Sequence, residues 1–156
     1  MTSILEQRRI EANVIAKIYQ TLAGELGDEQ AQKLLSKAIH ADAHAAGAAL
    51  AEKDGGNTDL ARFADWMDLW KADDALQIEL LESTPTKLSF NVQRCRYAET
   101  YDKMGLREMG GMLSCDRDGE LCRGYDSRIK LTRTQTIMGG APHCDFRFEI
   151  VEDGDG

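Results

Sequence analysis

The hydrophobic positions in the first third of the chain recur every three or four residues, which is the period of an amphipathic helix. One such stripe covers positions 12–26 and predicts a helix from Ser3 to Glu25. A second stripe follows Asp28, a residue type that caps helices, and predicts a helix that ends near positions 53–57. A third helix, capped by Thr58, is predicted over residues 59–72.

The period then changes to two, which is that of a strand with one buried face. Residues 76–80 and 88–92 alternate between apolar and polar on either side of the turn sequence STPT, and predict a β-hairpin. Helical character returns over residues 95–115, a loop follows, and two more alternating runs span Ile129 to Met138 and Cys144 to Ile150. N-terminal helices followed by antiparallel hairpins with intervening helices indicate an α+β fold.

Length and composition indicate a single globular domain. The 156 residues are enough for one hydrophobic core, and an apolar fraction of 42% separates the chain from disordered sequences. We expect the domain to cover residues 1–151 and the acidic residues 152–156 to form a flexible tail.

The formal net charge of −8 disfavours nucleic acid or an anionic membrane as the partner, because most of the surface would repel both. A small molecule is the expected partner, and a homo-oligomer is left open. No stretch approaches 18 consecutive apolar residues, and the N-terminal residues lack the apolar core of a signal peptide. We therefore expect a cytoplasmic protein whose four cysteines serve as thiols, ligands or nucleophiles rather than disulfides.

Polar residues in the second predicted helix allow two interpretations. Asp42 falls within the apolar stripe, which predicts a buried carboxylate. His40 and His44 have the i, i+4 spacing of a metal-binding pair, but a helical wheel places them with Lys33 and Lys37 on the polar face. We favour a solvated histidine pair.

Arg133 and Gln135 share the apolar face of the strand predicted from Ile129. A guanidinium on such a face is costly unless it meets an anion. Its partner is either a protein carboxylate such as Asp42 or the carboxylate of a ligand, which arginine holds with two parallel hydrogen bonds.

Two cysteines are candidate nucleophiles. Cys115 precedes a loop that contains Asp116 and Asp118, and nearby carboxylates raise a thiol pKa unless a base or a cation offsets them. Cys95 lies where a strand passes into a helix, and a helix N-terminus lowers a thiol pKa.

No cofactor is firmly indicated, although a divalent zinc or manganese ion remains an alternative. Its ligands would be Cys95, Cys115, His143 and Cys144, with Glu99 or Asp118. The sequence has no Cys-x-x-Cys pair to support such a site.

Four segments, SFNVQRCRYAETY, GGMLSCDRD, GYDSRIKLTRTQTIM and GAPHCDFRF, resemble in order and spacing the family named for L-2-amino-thiazoline-4-carboxylic acid hydrolase. The likeness includes residues 8–35 and so covers nearly the whole chain. The family name implies hydrolytic opening of a five-membered cyclic amidine that bears a carboxylate, giving an N-carbamoyl amino acid.

Such a reaction needs an attacking group and a proton for the departing ring atom. From the matched motifs we assign Cys115 as nucleophile, or as ligand of a metal that activates water, and His143 as general acid and base. Asp118 would orient or relay protons. If water attacks directly, Glu99 or Asp118 becomes the base.

The reaction also needs an anchor for the substrate carboxylate. We assign this role to Arg133 and Gln135, and Arg96 and Trp70 complete the predicted substrate-binding set. Trp70 belongs to the third predicted helix, where tryptophans contribute to the core and can wall a pocket.

A fainter similarity, in the hairpin that ends Gly-x-Pro-x-Cys-x-Phe, is to small-ligand domains of the 4-vinyl reductase type. It implies an α+β ligand-binding fold and a non-enzymatic sensor or carrier of small molecules. The concentration of polar and reactive residues in the motifs favours the enzyme, because a pocket for apolar ligands would not require them.

Overall fold

A computed structural model describes residues 2–152, so residues 153–156 of the predicted tail lie outside the described part. The helices are α1 (Ile4–Leu26), α2 (Asp28–Lys53), α3 (Leu60–Trp66), α4 (Asp68–Lys71), α5 (Arg96–Lys103) and α6 (Arg117–Tyr125). The strands are β1 (Leu76–Ser83), β2 (Lys87–Cys95), β3 (Ile129–Thr132) and β4 (Cys144–Ile150). Among the described residues, no helix combines the length and apolar character needed to cross a membrane.

The four strands form one antiparallel sheet in the order β1-β2-β4-β3. Leu88, Phe90 and Val92 on β2 and Phe148 on β4 are almost fully buried on one face, in the core formed with Phe63 of α3. One face is thus covered by helices and the alternate positions point away from it. The predicted α+β class and the β1–β2 hairpin are confirmed.

Two predicted helix caps are off by one residue. Gly27 rather than Asp28 precedes α2, with φ 88, a conformation that favours glycine. Asp59 rather than Thr58 caps α3, where its side chain accepts a 2.8 Å hydrogen bond from the Arg62 N–H. Thr58 instead donates its hydroxyl to Asp126 over 2.8 Å.

Residues 117–125, predicted as part of a loop, form α6. Its two glycines lower helix propensity, but one of them, Gly124, also allows α6 to pack closely on α2. A Cβ on Gly124 would lie 2.0 Å from the His44 carbonyl oxygen, and one on Gly47 would lie 2.1 Å from the Leu121 carbonyl oxygen. Tertiary packing between two glycine positions therefore stabilises a helix that local sequence disfavours.

The strand predicted from Ile129 to Met138 ends at Thr132. Beyond it, the Asp145 carboxylate accepts hydrogen bonds from the N–H groups of Thr134 at 2.9 Å and Gln135 at 3.0 Å. This side chain replaces partners that a continued ladder would supply, so the chain turns away from β4.

The prediction of a buried Asp42 is wrong. Its side chain is 70% exposed, and it accepts a 2.9 Å hydrogen bond from Arg117, which is itself buried. The buried line of α2 instead consists of small and apolar residues at Ala31, Ile39, Ala43, Gly47 and Leu50.

The predicted polar-face position is confirmed for His44, whose side chain is 54% exposed and lies 3.5 Å from Glu120. His40 is half-buried and its Nε2 is buried without a hydrogen-bond partner within residues 2–152, so the solvated position predicted for it is wrong.

Candidate active site

A partly open cavity of about 70 Å³ lies between the helices and the covered face of the sheet. Most of its wall is apolar, and much of it is aromatic. The apolar wall consists of Phe63, Met67, Trp70, Leu76, Phe90, Val92, Leu121, Phe146 and Phe148. The polar wall consists of Cys95, Tyr97, Cys115, Asp118, Arg133 and Cys144.

An ion pair between Arg133 and Asp118 contributes the charged groups of this wall. The Arg133 Nη1 donates to Asp118 Oδ2 over 2.7 Å, and Nη2 donates to the Cys115 carbonyl over 3.1 Å. The guanidinium also lies 5.0 Å from the centre of the Phe146 ring. Asp118, not Asp42, is therefore the carboxylate partner of Arg133.

Local structure explains how residues 15 positions apart meet. Asp118 lies in the first turn of α6, and Arg133 directly follows β3. The preceding segment Gly111–Cys115 is a single π-helical turn, in which the Asp116 N–H donates to the Gly111 carbonyl over 2.8 Å. This turn brings Cys115 to the cavity wall just before α6 begins.

The environment of Asp118 changes its acidity. Burial raises the pKa of the carboxyl to about 6, and the positive charge and hydrogen bond of Arg133 offset part of that rise. The Asp118 side chain is nevertheless 27% exposed, because it lines both the cavity and a neighbouring pocket. Near neutral pH such a group is able both to accept and to release a proton.

The three cavity thiols are shifted away from the reactive thiolate form. Burial raises the pKa of Cys95 to about 11, and burial followed by the charge of Asp118 raises the pKa of Cys115 further still. Burial also raises the pKa of Cys144, whose sulfur accepts a 3.1 Å hydrogen bond from the Ile137 N–H. All three cysteines are free thiols.

Four predicted site residues lie away from the cavity wall, namely Arg96, Glu99, Gln135 and His143. The Arg94 guanidinium binds Glu99 over 2.9 Å at the surface, and Arg96 donates to the Asp73 carbonyl. The Gln135 side chain donates to the His143 carbonyl over 2.9 Å, and neither residue lines the cavity. The structure thus brings together Cys115, Asp118, Arg133 and Trp70 from the predicted set, along with two of the alternative cysteines.

The conditional metal ligands Cys95, Cys115, His143 and Cys144 are not assembled as a site. Within residues 2–152 no three His, Cys, Asp or Glu side chains are grouped so that they could hold a metal ion.

Two larger depressions adjoin the cavity through the ion pair. The first, called here the β3 groove, has a volume of about 730 Å³ and shares Cys115 and Arg133 with the cavity wall. The second, called here the α1 pocket, has a volume of about 370 Å³ and shares Asp118 with it, together with Trp70, Tyr97 and Leu121. Arg133 and Asp118 therefore face different outer spaces.

Sequence reasoning missed Tyr97 and the phenylalanine wall as site residues. Phe90 and Phe146 stack with ring centres 4.9 Å apart, and Phe146 and Phe148 are 5.9 Å apart. The alternation of β2 and β4 places these rings on the buried face, but no sequence signal separates a lined cavity from a filled core.

The layer of helices on a four-stranded antiparallel sheet, with a cavity between them, is typical of a small α+β domain that encloses a ligand site. Within that class the chain belongs to the L-2-amino-thiazoline-4-carboxylic acid hydrolase family, whose model matches residues 7–148. The resemblance in the sequence motifs is thereby confirmed. No curated protein matches this chain.

Two solved structures share the fold. The phenol-responsive sensory domain of the transcription activator PoxR with phenol is 14% identical, with a TM-score of 0.56, over 92% of this chain and 77% of that one. A trafficking protein particle complex subunit 3 from Naegleria fowleri, covalently bound to palmitic acid, is 10% identical, with a TM-score of 0.55, over 94% and 96%. These likenesses concern the fold and agree with the fainter similarity to small-ligand domains.

Proposed function

We propose that this protein hydrolyses a small nitrogen heterocycle that bears a carboxylate, opening a cyclic amidine or cyclic amide to an N-carbamoyl or other open-chain product. Membership of the hydrolase family supports the reaction class. The observation that carries the proposal is the Asp118–Arg133 pair in an otherwise apolar wall, with the pKa of Asp118 raised to about 6.

In this proposal the ionised Asp118 acts as the general base. It takes a proton from a water molecule whose oxygen forms a bond to the electrophilic sp² ring carbon, which is the amidine carbon in a thiazoline and the amide carbonyl carbon in a hydantoin or dihydropyrimidine. The ring bond from that carbon to the leaving heteroatom then breaks, and protonated Asp118 returns the proton to the leaving atom. The α1 pocket, which Asp118 also lines, gives this carboxylate a route to outside water.

Arg133 is the proposed anchor for the substrate carboxylate. Within residues 2–152 its guanidinium makes two hydrogen bonds, to Asp118 and to the Cys115 carbonyl, out of five N–H donors. The remaining donors are able to hold a carboxylate while Asp118 stays within reach of the ring.

Cys115 becomes a neutral wall residue rather than the nucleophile in this proposal. The thiolate is the nucleophilic form, and the raised pKa of Cys115 disfavours it near neutral pH. A water attack with Asp118 as base needs no thiolate. His143 and Glu99 have no assigned step, because neither lines the cavity.

The test is a ring-opening screen of hydantoins, dihydropyrimidines and thiazolines that carry a carboxylate, followed by variants on the best substrate. Asp118→Asn should lower kcat by roughly 10²- to 10⁴-fold, the range for loss of a general base. Glu99→Gln is the matched control, since it neutralises a surface carboxylate and should keep full turnover. Equal rates in the two variants would remove Asp118 from the reaction.

A second candidate function is non-enzymatic binding of a small apolar ligand, as in a sensor or carrier. The aromatic wall favours it, and the PoxR sensory domain with the same fold was solved with phenol. The two candidates separate in one experiment. Phenol-like ligands that bind more tightly than any carboxylated heterocycle, with no ring opening in the screen, would favour the sensor.

A further inference from the structure

The cavity is too small to enclose a whole carboxylated ring. Its volume is about 70 Å³, whereas an engineered protein cavity that binds benzene measures about 150 Å³. A heterocycle with a carboxylate has more heavy atoms than benzene. A bound substrate therefore has to extend past the cavity wall into one of the adjoining spaces.

The position of Arg133 indicates which space receives the carboxylate. Arg133 lines both the cavity and the β3 groove, whereas it does not line the α1 pocket. A carboxylate held by this guanidinium from the groove side leaves the ring facing Asp118 and the apolar wall. The groove, at about 730 Å³, is also larger than the α1 pocket, at about 370 Å³.

The groove contains charged side chains of both signs. Arg123 donates to Glu120 over 3.1 Å, so these two charges largely cancel. Lys130 and Asp116 also line the groove, and neither makes an ion pair within residues 2–152. Neither charge is neutralised by an ion pair there, although Lys130 lies opposite Glu149 of β4 in the sheet register.

We propose that the β3 groove is the subsite for the anionic part of the substrate, in which Lys130 attracts the carboxylate held by Arg133 and Asp116 opposes it. Lys130 and Asp116 are then specificity-determining residues that select a carboxylated over an uncharged ring. The inference depends on the proposed function only in taking the ligand to bear a carboxylate.

The chain offers a matched control for Lys130. Lys130 on β3 and Lys87 on β2 are both exposed and both face Glu149 on β4 across the sheet. Lys87 does not line the groove. Replacing either lysine by methionine therefore removes the same charge and the same cross-strand neighbour, but only one change alters the groove.

The experiment measures calorimetric binding of two probes, hydantoin-5-acetate and uncharged 5-methylhydantoin, at pH 8, where a histidine side chain is ordinarily neutral. Lys130→Met should weaken binding of the acetate by about five- to tenfold, between the effects of an exposed ion pair and a charged hydrogen bond. The same variant should leave the affinity for 5-methylhydantoin unchanged. Asp116→Asn should tighten binding of the acetate, and Lys87→Met should change neither affinity.

Several results would overturn the groove assignment. These are equal effects of Lys130→Met and Lys87→Met, equal losses for both probes in Lys130→Met, or no binding of the acetate by the unmodified protein. The outcome is separable from that of the proposed function. Charge-dependent binding without any ring opening would refute the hydrolase and keep the subsite, whereas ring opening that is insensitive to Lys130 and Asp116 would do the reverse.

Discussion

The Arg133 guanidinium lies 2.7 Å from the Asp118 carboxylate and 5.0 Å from the centre of the Phe146 ring, so a single side chain joins the end of β3 to α6 and to the aromatic wall of the cavity. The charge of Arg133 opposes the effect of burial on Asp118. The acidity of the proposed base therefore depends on the residue proposed to hold the substrate.

Arg133→Met should raise the pKa of Asp118 above its present value of about 6. Loss of a neighbouring opposite charge shifts a carboxyl pKa by roughly one to three units. The free energy of unfolding of the variant, relative to the unmodified protein, should fall as the pH rises above about 6, because an unpaired carboxylate then has to ionise inside the wall. Chemical denaturation between pH 5 and pH 8 measures the difference.

Arg94→Met is the control for this prediction. Arg94 binds Glu99 in a pair whose side chains are 45% and 42% exposed, and such surface pairs contribute little. Its stability difference from the unmodified protein should stay flat over the same pH range. A flat profile for Arg133→Met as well would show that Asp118 is not held by Arg133 in solution.

The pH dependence of catalysis should report Asp118 directly. Because the carboxylate form is the proposed base, kcat/KM should fall as the pH drops through about 6, the raised pKa of this group. Stability has the opposite slope. The folded carboxyl binds its proton more tightly than the unfolded one. The contribution of Asp118 to the free energy of unfolding therefore decreases as the pH rises from about 4 to about 6.

Asp118→Asn should remove this pH dependence of the free energy of unfolding. Chemical denaturation of the variant and of the unmodified protein across the same pH range would detect the difference. If kcat/KM instead rises on acidification through pH 6, the protonated carboxyl is the working form and Asp118 is a general acid only.

The periodicity of the sequence predicts the long helices and the β1–β2 hairpin, although α1 buries only Ala12 and Ala16 and Leu80 of β1 is 61% exposed. It does not predict α6, where Gly119 and Gly124 lower local helix propensity and contacts with α2 decide the outcome. Because α6 is not predicted, the sequence places Asp118 in a loop and does not predict its ion pair with Arg133.

Three residues of the matched motifs, Cys115, Asp118 and Arg133, line the wall of one cavity. His143 lies one residue before β4 in the same motif as Cys144, yet only Cys144 reaches the cavity. Neighbours along a strand point to opposite faces, so closeness in a motif does not place two side chains in one site.

Cys115→Ser should keep turnover within about threefold of the unmodified protein, far from the loss of roughly 10²-fold or more expected for a missing acid or base. The raised pKa of Cys115 leaves the thiol protonated near neutral pH, so iodoacetamide should also modify it slowly. Rates and mass spectrometry of the alkylated protein check both statements. A large loss of turnover in the serine variant would restore the nucleophile role.

The close packing of α2 and α6 gives a prediction for stability that is independent of function. An alanine Cβ at position 124 would lie 2.0 Å from the His44 carbonyl oxygen, a backbone atom that is able to move only if the two helices separate. Overpacking of this kind costs about 1–3 kcal/mol, which exceeds the helix propensity of roughly 1 kcal/mol gained by replacing glycine. Gly124→Ala should therefore lower the free energy of unfolding.

Gly24→Ala is the matched control, since Gly24 lies in α1 and a Cβ there would meet no atom of another element within 4 Å, so this change should be neutral or stabilising. Urea denaturation of both variants decides the matter, because equal stability would mean that α6 does not pack against α2 as closely as the structure shows.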